Sequence, residues 1–209
     1  MKERVYEKRG RDTSGGKVSE FFSEQPNLLF HIDSVAESLN IPVEQIRYHI
    51  YQINQNLLSD RKDSLIYNIT GFGQYFWSPV FDPGQHLIIS RQEEIASRLK
   101  DKDPKILELC KKACEVTATE NSASLKSFLT ANEYSLNMAL AEAYPESLNF
   151  LEFLDEEYPE FAIERDNYKG QFQSLSDTRF SRLRDKLKKL NPQIRIDRHN
   201  FPNALLVVS

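Results

Sequence analysis

The stretch Leu39-Asn40-Ile41-Pro42-Val43-Glu44-Gln45-Ile46-Arg47-Tyr48-His49-Ile50 decides how this chain is read. Before it, Ile32, Val35, Ala36 and Leu39 recur at helical spacing, and Asp33 or Ser34 supplies an N-cap. Through it, Ile46, Ile50, Ile53 and Leu57 fall on one apolar face of a second helix, from Val43 to about Leu57. Asn40-Ile41-Pro42 separates the two helices, and proline suits the first turn of the second. Leu58 to Ile69 carries polar Ser59-Asp60-Arg61-Lys62-Asp63-Ser64 between apolar flanks, which predicts a strand, a tight loop and a strand. Thr70-Gly71-Phe72-Gly73 interrupts the second strand, and Gln74 to Phe81 predicts either a further strand or a short helix.

Working outward, residues 1–17 read as a flexible basic tail, with six Lys/Arg against three Asp/Glu. Val18 to Ser23 is a short apolar helix stopped near Pro26, and residues 18–81 form the first domain. Asp82-Pro83-Gly84 is a turn, and residues 82–85 are the linker. Residues 86–209 read as a helical second domain. Its helices are expected over Leu87–Lys100, Pro104 to about Ala118, Ser122–Tyr144 and Pro145–Tyr158. A hairpin is expected around Asn167 to Gly170. A last helix over Thr178–Leu190, capped by Ser176 or Asp177, precedes a β-hairpin built from Ile194–Arg198 and Ala204–Val208. Only 7 of the 209 residues are glycine, and none lies between Gly84 and Gly170, which disfavours a turn-dense β domain there. No repeat of fixed period is visible. The expected fold class is mainly α with small β-hairpins.

Composition narrows the chemistry. There is no run of about 18 apolar residues, so no membrane span is expected, and the polar start has no apolar signal-peptide core. A soluble cytoplasmic protein is the expectation. Cys110 and Cys114, the only cysteines, share a helix face with Ile106, Ala113 and Thr117 and read as core thiols rather than a redox or metal pair. His31, His49, His86 and His199 stand at no metal-ligand spacing. Thr13-Ser14-Gly15-Gly16-Lys17 lacks the spacing of a phosphate-binding loop, and no Gly-x-Ser-x-Gly occurs. Glu164-Arg165-Asp166 near Lys169 has neither the order nor the spacing of a nuclease cluster. No catalytic residue, metal or cofactor is expected, and a non-enzymatic role follows.

Helix, short turn, helix and hairpin is the order of a winged helix-turn-helix. The 39–50 string, the Leu57-Leu58 pair, and Tyr67-Asn68-Ile69-Thr70 followed by Gly73 resemble the ArsR and MarR-type bacterial and archaeal regulators over residues 32–73. The resemblance implies that the second helix enters the DNA major groove while the wing touches the backbone. Gln45, Arg47, Tyr48, Tyr51 and Gln52 then lie off the apolar face as candidate base readers. Arg61 and Lys62, at the expected wing tip, are candidate phosphate contacts. Against this stands charge: residues 18–64 hold seven acids and three bases, whereas phosphate neutralisation supplies much of DNA affinity.

The C-terminus carries the stronger electrostatic footprint. The net charge is −4 overall, yet residues 177–199 hold eight bases against three acids, and residues 131–168 hold ten acids against one base. Phe180, Leu183, Leu187 and Leu190 mark the buried face of the last helix. Arg179, Arg182, Lys186 and Lys189 follow one step behind, flanked by Arg184 and Lys188. These cations either meet DNA phosphates or are solvated and paired with the acidic 146–166 segment. Helix then hairpin is again the second half of a winged helix, so a second such domain is an open reading. The expectation is a DNA-binding transcriptional regulator or related DNA-transaction factor. Duplex DNA is the expected partner, with a homodimer or protein contact through residues 86–170. The alternative is a winged-helix adaptor that holds proteins.

Overall fold

A computed structural model describes residues 13–60, 65–79, 83–119, 123–159, 169–198 and 200–209. The chain divides into two compact units: the first takes residues through Ile89 together with Val116–Ser127, and the second takes Ser90–Glu115 and Phe128–Ser209. Residues 116–127, expected in the second domain, thus belong to the first.

In the first unit, α1 (Ser14–Glu24), β1 (Phe30–His31), α2 (Ile32–Leu39), α3 (Val43–Ser59), β2 (Ile66–Thr70) and β3 (Gln74–Trp77) follow one another. The α2–α3 turn has a local cause. Asn40 adopts the left-handed conformation at φ 51°, which asparagine tolerates. The Ile41 N–H then donates to the Ala36 carbonyl at 3.0 Å, closing α2. Pro42 starts α3 without costing an intrahelical bond. Val18 and Phe22 of α1, Val35 of α2, and Ile46, Ile50, Ile53 and Leu57 of α3 meet Ile66, Ile69, Phe76 and Trp77 of the hairpin in one core.

The expected strand from Leu58 does not form. The helical apolar spacing continues through Leu57, so α3 runs on to Ser59 with Leu58 exposed. The hairpin lies one step later, between β2 and β3, and Tyr67–Thr70 belongs to its first strand. Its turn needs glycine twice: Gly71 has φ 86° and Gly73 φ 59°. A Cβ on Gly73 would also stand 3.1 Å from the His31 ring.

The sheet of this unit has the order β1-β3-β2-β5-β4. Strands β4 (Val116–Ala118) and β5 (Ser124–Ser127) pair antiparallel, and β5 lies parallel to β2 with Asn68 opposite Ser124. Asn54, buried on α3, completes the β2 edge where β5 leaves off. Its Nδ2 donates to the Ile66 carbonyl at 2.8 Å and its Oδ1 accepts from the Ile66 N–H at 2.9 Å.

The second unit holds the C-terminal part of α4 (Pro83–Arg98), then α5 (Pro104–Ala113), α6 (Ala131–Ala143), β6 (Leu148–Asn149), α7 (Phe150–Glu157), α8 (Lys169–Leu190), β7 (Ile194–Asp197) and β8 (Asn203–Val208). The helices expected from Ser122 and Pro145 start later than expected. A capping box fixes the first: Thr130 Oγ1 accepts from the Glu133 N–H, and Glu133 Oε2 accepts from the Thr130 N–H at 2.8 Å. Asn149 caps the second, its Oδ1 accepting from the Leu151 N–H at 3.0 Å. The hairpin expected around Asn167 lies outside the described residues as far as Tyr168, and Lys169 and Gly170 open α8.

The two units repeat one topology. Among the described residues, α6-β6-α7-α8-β7-β8 follows the order of α1-β1-α2-α3-β2-β3, and the three-stranded sheet β6-β8-β7 matches β1-β3-β2. The match extends to single atoms. In each, a two-residue strand runs directly into the next helix, and its last residue caps that helix, His31 in one and Asn149 in the other. The first helical N–H then donates to the carbonyl just before the last strand: Ile32 to Gly73 at 2.8 Å, Phe150 to Pro202 at 2.9 Å.

Candidate functional site

The repeat makes α3 and α8 equivalent helices, and their outward faces differ in chemistry. On α3, Gln45, Arg47, Tyr48 and Tyr51 are exposed and Gln52 is half-buried. Tyr48 and Tyr51 leave 57% and 58% of their surface open, and Leu58 stands exposed about two turns further along. The α3 cation, Arg47, lies 3.6 Å from Glu44 in a solvated pair of the kind that contributes little. Arg61 and Lys62 lie outside the described residues. The turn of the β2–β3 hairpin, Gly71-Phe72-Gly73, carries no cation, so the expected basic wing tip is not at this turn.

On α8, Phe172, Ser176, Phe180, Leu183 and Leu187 are buried. Arg182, Arg184, Lys188 and Lys189 are exposed. The expected quartet of cations is divided by the fold. Arg182 and Lys189 face solvent. Lys186 does not: its Nζ donates to Glu133 Oε2 at 2.5 Å and to the Phe128 carbonyl at 3.1 Å. Its partner is thus the cap residue of α6, outside the acidic 146–166 segment. Burial raises the Glu133 carboxyl, but hydrogen bonds from Lys186 and Thr130 outweigh it and hold the group below its ordinary value. Arg179 stacks on the Tyr158 ring, its guanidinium carbon 5.4 Å from the centroid. Tyr158 is held by its hydroxyl, which donates to Asn132 Oδ1 at 2.9 Å.

A groove of about 270 Å³ lies here, lined by Thr130, Asn132, Glu133 and Leu136 on one side and Leu175, Thr178, Arg179 and Arg182 on the other. Sequence spacing put the arginines on one helix face but carried no signal for Tyr158, Asn132 or Thr130 as their neighbours. The β7–β8 hairpin is pinned to the same helix: Arg198 donates to Asp177 and, at 3.2 Å, to Ser176 Oγ, and lies over the Phe180 ring. Arg195 of β7 pairs with Asp197 at 3.1 Å.

Cys110 and Cys114 of the second unit are buried, and Asn137 Nδ2 reaches Cys110 Sγ at 3.4 Å. Burial pushes both thiols up to about 12, against a smaller opposing effect of Asn137 on Cys110 and of Arg91 on Cys114. A thiol raised in the folded state adds stability that is complete below its unfolded value near 9.0 and is lost as pH climbs from there through 12. Two results are therefore expected. Native protein near neutral pH should react with a thiol reagent far more slowly than unfolded protein, and its melting temperature should fall as pH rises above 9.0. Fast labelling of the native chain would contradict both.

Among the described residues, no group of three His, Cys, Asp or Glu side chains is placed to hold a metal ion, and no helix is long and apolar enough to cross a membrane. Comparison of the chain with protein-family profiles, with curated proteins and with solved structures finds no match.

Proposed function

We propose that this chain is a tandem winged-helix protein that binds duplex DNA through α8, acting in the cytoplasm as a transcriptional regulator or related DNA-transaction factor. One observation carries the reading. In a helix-strand-helix-helix-hairpin module the third helix is the one that enters the major groove, and in the second unit that helix presents Arg182, Arg184, Lys188 and Lys189 to solvent. The overall charge of −4 does not oppose this, because phosphate neutralisation is local.

The test is the double variant Arg182→Glu with Lys189→Glu, which leaves the buried face and Lys186 untouched. Affinity for duplex should fall for all sequences alike, since phosphate contacts carry no base information. The slope of log affinity against log salt should flatten by about 0.9 per lost contact. Parent-like affinity at low salt would overturn the reading.

A second reading draws on a separate observation, the exposed Tyr48, Tyr51 and Leu58 of α3. Tyrosines on a face poor in cations are typical anchors of protein interfaces. In that reading the first unit is an adaptor, and Tyr51→Ala abolishes capture of a protein partner while DNA affinity is unchanged.

A further inference from the structure

The groove beside α8 differs from the open basic surface next to it because one of its cations, Arg179, is held in place. Arg179 is fixed by stacking on Tyr158, which Asn132 fixes in turn. Its charge is thereby oriented, and among the described residues Arg179 forms no ion pair with a carboxylate. Arg182 stands three residues on, on the same wall. The carboxylate of the groove, Glu133, is engaged by the Thr130 N–H and by Lys186. Those four charges leave an excess of two positive. The start of α6 adds nothing by itself, since Thr130 and Glu133 already cap it.

The remaining hydrogen-bond capacity is one-sided. Asn132 spends its Oδ1 on Tyr158 and keeps its amide N–H groups. Thr130 Oγ1 accepts from Glu133 and keeps its hydroxyl hydrogen. With two guanidinium forks this is a set rich in donors, suited to an oxyanion whose oxygens point in several directions. At about 270 Å³ the groove falls below the roughly 300–1,000 Å³ of sites for whole small molecules.

We propose that this groove holds a single phosphoryl group. Two sources share that chemistry: a backbone phosphodiester of nucleic acid and a free phosphate monoester. The backbone source is favoured by Arg182, which belongs both to the groove and to the exposed cationic surface of α8. That preference rests on the DNA-binding reading given above.

The experiment has two arms, both on the full chain. In the first, the melting temperature is measured in rising inorganic phosphate at constant ionic strength made up with chloride. The parent should gain stability saturably, and Arg179→Gln and Arg182→Gln should each lose the saturable part, keeping only the general salting effect that phosphate has on any protein. Two variants are used so that a folding defect in one leaves the other to decide. In the second arm, a duplex bound by the parent carries one neutral methylphosphonate at each backbone position in turn. The parent should lose about tenfold at one position, and Arg179→Gln, weakened by a similar factor on the unmodified duplex, should lose nothing more there.

Both effects together support the site with a backbone phosphate in it. Saturable phosphate binding with no position-specific loss supports the site and assigns it to a free monoester. Neither effect, while Arg182→Glu with Lys189→Glu still weakens duplex binding, overturns the site and leaves the DNA reading standing. If the parent binds no duplex, the DNA reading fails and the first arm alone decides the site.

Discussion

Replacing Phe150 by alanine should cost about 3–5 kcal/mol, the range for a large aromatic lost from a core. Phe150 is fully buried, and its ring lies 6.0 Å from that of Phe153 and 5.3 Å from that of Phe180. It is the first residue of α7, and Phe180 belongs to α8, so one side chain ties the two helices of the proposed reading module together. The N–H bond to Pro202 survives in alanine, and the loss is therefore one of packing. Urea unfolding followed by circular dichroism measures it. A change under about 1 kcal/mol would mean that the neighbouring rings close the cavity, against the rigidity expected of a packed core.

Asn54→Leu should be nearly as damaging, at about 2–5 kcal/mol, for a different reason. It removes no packing volume. It orphans the N–H and C=O of Ile66 at a buried position, each worth about 1–3 kcal/mol when left unpaired. Ile66 sits opposite Trp77 in the β2–β3 ladder, and Trp77 is the single tryptophan of the chain. Its fluorescence therefore reports this site directly. The midpoint of urea unfolding read from Trp77 should fall well below the parent's, and an unmoved midpoint would show that water replaces both bonds without penalty.

The turn from α2 to α3 was legible because it is local: the left-handed Asn40, Pro42 and two apolar spacings all lie within one short window. The hairpin was misplaced because polar residues 59–64 look like a loop between strands, whereas Leu57 still belongs to the buried face of α3. Strands β4 and β5 went unread for want of length. Three and four residues with one clear alternation, around buried Leu125, are easily absorbed into neighbouring helical patterns. Their parallel pairing with β2 has no local signature at all.

The site shows the same limit. Periodicity placed Arg179, Arg182, Lys186 and Lys189 near one another, but the partner of Lys186 is Glu133, far away in the chain. A helical face can be read from spacing, but what packs against that face cannot. The internal repeat is the extreme case. Ile32 answers to Phe150, His31 to Asn149 and Gly73 to Pro202, pairs of different residue types. What they share is backbone geometry, which residue identities do not encode one by one.

The route of the first sheet has a consequence in time. β2 meets its hairpin partner β3 almost at once during synthesis, but its other neighbour, β5, does not exist until Ser124–Ser127 have been added. At about 5–20 residues per second the wait is roughly 3–10 s. For that interval the far edge of β2 is an open ladder, a template on which another nascent chain could pair. Asn54 covers it only at Ile66. A chain cut ahead of α4, where composition invites a cut, would keep that edge open permanently.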